Sequence, residues 1–100
     1  MAVTPLPVKR ALRALGQHIS TQRKLMGLTQ AMVAERSGVS QPLIVRLEKG
    51  EGATLEKTLR VLRVLGMMDA VIDAADPYRT DRGRLLAGEK LPTRVRADRG

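Results

Sequence analysis

The side chains of this chain that could do chemistry are mostly cations. Eighteen Lys and Arg stand against ten Asp and Glu, a net charge of +8. Residues 1–66 carry 11 basic and 4 acidic residues, net +7, whereas residues 67–100 carry 7 and 6, net +1. A positive field concentrated in this way attracts polyanions. The groups that covalent or metal chemistry would need are missing. Cysteine is absent, so there is no thiol nucleophile, disulfide framework or Cys-based zinc site. His18 is the only histidine, which makes a poor start for a metal site and reads as a surface or phosphate-facing residue. The sequence has no nucleotide-binding glycine loop, nucleophile elbow or paired histidine ligands. We expect no enzyme, metal or cofactor, because catalysis needs a positioned acid, base or metal.

The elements that must position the cations centre on Leu28–Gly50, LTQAMVAERSGVSQPLIVRLEKG. Thr29 suits an N-cap, and Val33 and Ala34 give a helical apolar stripe that stops at Gly38. Val39 plugs the turn, Ser40 is a second N-cap, and Pro42 falls in the first turn, where its missing N–H is harmless. Ile44 and Leu47 lie on the buried face of the second helix, which Gly50 ends. Ala34 allows close approach, and residues 33, 39, 44 and 47 point into one core. This is a helix-turn-helix whose second helix is free to enter a DNA major groove.

One hundred residues make one domain, and with Tyr78 as the only aromatic the core must be aliphatic. Residues 1–7 read as a poorly ordered lead-in. From Val8 to Lys24 a helix is expected, with Val8, Leu12, Leu15 and Ile19 facing the core and Lys9, Arg10, Arg13, Arg23 and Lys24 opposite. Thr54 caps a further helix to Leu65, with Leu55, Leu59, Leu62 and Leu65 on the core stripe. Val61 and Val64 widen that stripe, which suggests a partner surface; the alternative is packing under the C-terminal segment. Met67–Ala75 suits a short amphipathic helix, with Met68 and Val71 on its apolar side, although a short strand fits the same residues. Residues 77–100, with Leu85, Leu86 and Leu91 among Arg and Gly, read as a partly disordered basic tail that could order on a partner. The apolar runs are too short to span a membrane and no secretory leader is apparent, so a cytoplasmic protein is expected.

Over residues 8–75 the chain resembles the Cro/repressor-type (XRE) helix-turn-helix family. The matching residues are Leu28-Thr29-Gln30, Ala34, Ser37-Gly38-Val39-Ser40, Ile44, Leu47-Glu48-Lys49-Gly50, and Thr54-Leu55 through Leu65-Gly66. Within the family it looks most like the HipB-type antitoxins, which pair with HipA-type kinase toxins, in ATLEKTLRVLRVLGMMDAVID and LPTRVR. The resemblance implies an all-α, compact five-helix bundle over residues 8–76, followed by a flexible tail. It implies a homodimer on a palindromic operator in double-stranded DNA, an autoregulating repressor, and a HipA-like toxin as partner. Ser40, Gln41, Val45 and Arg46 would meet base edges: Gln41 an adenine, Arg46 a guanine, and Val45, like Pro42 and Leu43, at most a thymine methyl. Thr29, Gln30, Lys49, Arg10 and Arg13 would lie near phosphates. Arg23 and Glu48 match a pair that bridges the first and third helices. A dimer or partner surface would draw on Val61, Val64, Met68 and Val71. Met32 stands where the family usually has an acid, so a dipole-stabilising carboxylate is lost while the Thr29 cap remains.

Overall fold

The computed structural model describes residues 3–90, and among these every regular element is helical. The helices are α1 (Leu6–Leu25), α2 (Gln30–Ser37), α3 (Gln41–Glu48), α4 (Leu55–Val64), α5 (Met68–Ala75) and α6 (Asp81–Lys90), with a single 3-10 turn at Pro77–Arg79. The chain divides into two units, the first ending at Met68 and the second starting at Asp69.

In the first unit, α1 starts two residues earlier than the expected Val8. Pro5 serves as its N-cap and Pro7 lies in the first turn, where no intrahelical donor is needed. The lead-in expected over residues 1–7 is therefore partly helix. Thr29 Oγ1 caps α2 by accepting the Met32 N–H at 3.1 Å. The Thr29 N–H in turn donates to Met32 Sδ at 3.4 Å, so a thioether occupies the place of the missing carboxylate. Gly38 turns the chain at φ +72°, a conformation that a side chain would strain. Ser40 Oγ then caps α3, accepting from the Leu43 N–H at 3.3 Å.

The core is aliphatic, as composition requires: Ile19, Leu28, Val33, Val39, Leu43, Ile44, Leu47, Val61, Leu62 and Leu65 are buried together. Full burial of each such side chain favours folding by roughly 1.5–3 kcal/mol before entropy is subtracted. α2 packs on α3 and α4, and α1 packs on α3. Gly16, buried in the middle of α1, is a point of close approach to the end of α3. A Cβ there would run into the Leu47 carbonyl and lie 2.8 Å from the Glu48 carbonyl oxygen. Gln22 Nε2 ties α1 to the end of α4 by donating to the Leu65 carbonyl at 3.1 Å.

Three apolar assignments change. Val8 and Leu55, expected on core stripes, are exposed, each lying in the first turns of its helix beyond the edge of the core. Val61, expected on a partner surface, is fully buried in the core. A residue with no exposed surface cannot meet a partner, so Val61 is withdrawn from that role.

In the second unit, Met67–Ala75 resolves as a helix from Met68 rather than a strand. Residues 77–90, expected within a flexible tail, are also ordered into the 3-10 turn and α6, which makes six α-helices among the described residues rather than five. Their order comes from local polar contacts. Asp76 Oδ1 accepts the Tyr78 N–H at 2.9 Å, Thr80 Oγ1 accepts the Gly83 N–H at 2.9 Å, and Arg84 donates to the Tyr78 carbonyl at 2.6 Å and pairs with Asp81. The basic LPTRVRADRG segment with Leu91 lies outside the described residues.

Candidate nucleic-acid interface

α3 has two chemically different sides. Its back consists of Leu43, Ile44 and Leu47, all buried, and its front of exposed Gln41, Pro42 and Arg46, with exposed Ser40 and Lys49 at its two ends. Leu43, allowed above a contact with thymine methyls, faces the core at 7% exposure and is removed from the front. Val45 is half-buried at the margin.

The N-termini of α2 and α3 both suit an anion. Neither helix has an acid in its first turn to neutralise the positive end of the dipole. Thr29 and Ser40 cap as acceptors, which leaves each hydroxyl proton free to donate to a phosphate oxygen. Gln30 donates through Nε2 to Glu48 Oε1 at 3.1 Å and keeps one amide hydrogen.

What holds α3 in place is a polar clamp. Arg23, on α1, grips Glu48 at the end of α3 with two prongs, Nε to Oε2 at 2.7 Å and Nη2 to Oε1 at 3.0 Å. A third bond, from Nη1 to the Leu28 carbonyl at 3.0 Å, fixes the guanidinium. The Arg23 and Glu48 side chains are only 12% and 8% exposed. Burial by itself pushes the Glu48 carboxyl up. Hydrogen bonds from Arg23 and then Gln30, with the Arg23 charge, outweigh burial and hold the carboxyl below the usual carboxylate range. The Glu48 hydrogen bond raises Arg23, against the opposing effect of burial.

Around this frame, Arg13 and Lys49 line one surface groove with Gln17 and Glu48, so α1 and the end of α3 present cations together. Arg10 is exposed one turn earlier on α1. Val64 and Met68 are half-buried against the core, and Val71 is exposed at 37%. Gly16 and Gln22, which dock α1 on α3 and α4, were not singled out from sequence. A glycine inside an otherwise strong helix was the available signal for Gly16, since it weakens the helix unless a close approach requires it.

The arrangement can fix an anionic backbone with hydroxyls, helix ends and cations, and can present an amide and a guanidinium fork to whatever lies between. Among the described residues no three His, Cys, Asp or Glu side chains are grouped to hold a metal. No helix of these residues is long and apolar enough to cross a membrane.

The helix-turn-helix family matches over residues 19–68, half of the chain and the whole span from Ile19 to Met68 described above. A protein of Haemophilus influenzae named "uncharacterized HTH-type transcriptional regulator" is 37% identical over 60 residues, which is 59% of this chain and 61% of that protein. The chain thus spans less than two thirds of that relative's length. No solved structure matches the chain significantly.

Proposed function

The chain belongs to the helix-turn-helix family of the Cro/repressor (XRE) type, and from that premise we propose that it is a sequence-specific, DNA-binding transcriptional repressor. The observation that carries the reading is the division of α3 into a buried aliphatic back and an exposed front whose Gln41 and Arg46 side chains have no hydrogen-bond or ion-pair partner among the described residues. In this reading two copies bind a palindromic operator as a homodimer, with their recognition helices in successive major grooves about 34 Å apart. Gln41 and Arg46 read bases. Ser40, at the start of α3, meets a base edge or the phosphate beside it, and Thr29, Gln30, Lys49, Arg13 and Arg10 hold phosphates and set the register. Of the residues expected at a dimer surface, Val64 in the first unit and, taken separately, Val71 in the second keep exposed area for a second copy.

Selection from a random duplex library, followed by titration at several salt concentrations, tests the proposal. A symmetric motif bound far more tightly than random duplex is expected. Equal affinity for selected and random duplexes would sink the proposal.

The likeness of residues 53–73 to HipB-type antitoxins supports a narrower role, an antitoxin that neutralises a HipA-like kinase and represses its own operon. Co-expression with a neighbouring HipA-like reading frame should then yield a complex that co-purifies. The alternative is a stand-alone regulator without a toxin. Absence of a complex, with and without operator DNA, decides for it.

A further inference from the structure

A groove of 360 Å³ opens between the C-terminal end of α2 and α4, entirely within the unit that ends at Met68. None of the residues assigned above to DNA lines it. Its floor is apolar, made by half-buried Leu59 and Met68. Ser37 also borders it but has no proton left to donate to an anion, since its Oγ donates to the Ala34 carbonyl and accepts the Val39 N–H, both at 3.3 Å. The rim is cationic, with exposed Arg36, Arg60 and Arg63 against one acid, Glu56. Arg60 engages Glu56 Oε2 through Nε at 3.1 Å and Nη2 at 2.9 Å. Its guanidinium rests over the motif's turn, where a Cβ on Gly38 would lie 3.3 Å from Nη1. Arg36 and Arg63 have no ion-pair partner among the described residues.

Two uncommitted guanidiniums above an apolar floor match a ligand that is both anionic and apolar. A bare phosphate backbone has no use for the floor. We propose that this groove docks an acidic, amphipathic peptide segment of a partner protein. Its carboxylates pair with Arg36 and Arg63, and an aliphatic side chain covers Leu59 and Met68. Charge disfavours the chain's own residues 91–100 as occupant, because Arg94, Arg96 and Arg99 outnumber Asp98. The volume is near the lower end of the roughly 300–1,000 Å³ typical of ligand sites, enough for an anchoring side chain or two. The proposal goes beyond the DNA-binding reading and does not require it.

The test titrates the full chain into a fluorescently labelled amphipathic helix with glutamates on one face and leucines on the other. Two control peptides carry Gln for Glu, or Ser for Leu. Binding by the first peptide and by neither control is expected, and Arg36→Gln/Arg63→Gln should weaken it by about tenfold or more. The same double variant should melt like the wild type and bind duplex DNA unchanged, while Arg10→Gln/Arg13→Gln leaves peptide binding intact. Absence of peptide binding would overturn the proposal. Equal binding of the serine peptide would also overturn it, as that is mere polyanion attraction. A matching loss of duplex affinity in Arg36→Gln/Arg63→Gln would assign the groove to the DNA footprint instead.

Discussion

Removing Glu48 should be among the most damaging single changes in the first unit. Glu48→Ala leaves Arg23, 12% exposed, with two of its three bonds unmade and its charge unpaired, and it strands the Gln30 amide. Breaking a fully buried pair from one side typically costs about 3–5 kcal/mol, and the partial exposure of Arg23 and Glu48 puts this pair at the lower end, about 3 kcal/mol. A domain of this size has a total stability of only about 5–10 kcal/mol, so the variant should lose a third of it or more. Arg23→Met/Glu48→Leu removes both charges together and should return to within about 1 kcal/mol of the wild type. Urea titration followed by far-UV circular dichroism measures all three proteins.

The same pair predicts the pH dependence. The folded Glu48 carboxyl is held below its unfolded value of about 4.3, so its stabilisation is complete above that pH and lost as pH falls through the lower folded value. In Arg23→Met, burial acts on Glu48 without the Arg23 charge and bonds, and protonation relieves the strain. The stability gap between wild type and Arg23→Met should therefore narrow on going from pH 7 to pH 3. A Glu48→Ala cost below about 1 kcal/mol, or a gap independent of pH, would refute the clamp as the device that seats α3.

Three further outcomes follow from the interface. Arg46→Ala should relax base preference at one position per half-site, by about 1–3 kcal/mol of discrimination, and an unchanged selected motif would remove Arg46 from base reading. Lys49→Ala should weaken binding to all sequences alike and lower the salt slope by about one, as read from titrations across salt concentrations. Gly16→Ala should push α1 off the end of α3 and cost roughly 1–3 kcal/mol in thermal or urea unfolding; a neutral result would mean that the approach is looser than the structure shows.

The helix-turn-helix was legible because its determinants are local. Thr29, Gly38 and Ser40 mark helix ends within a few residues, and the apolar positions between them fit only one packing side. Core stripes read from a single helix were less secure. Periodicity ranks Leu55 with Leu62 and sets Val61 apart, but which face is buried depends on where α2 and α1 lie against α4. Leu55, at the start of α4, overshoots the core, while Val61 lies at its centre. Residues 77–90 gave no apolar pattern to detect, because Asp76, Thr80 and Arg84 order them through side-chain bonds to nearby backbone. The Arg23–Glu48 pair spans 25 residues and was suggested by family resemblance rather than by any local pattern. The α2–α4 groove has no linear signature at all, since Arg36 and Arg63 meet only after folding.

The most direct measurement is an amide chemical-shift map of the isotopically labelled chain on its selected duplex. The largest changes should fall on Thr29–Gln30 and Ser40–Lys49, with the core amides around Ile19 and Leu62 nearly still. Shifts concentrated on α4 and α5, with Gln41 and Arg46 unmoved, would contradict the assignment of α3 as the reading helix.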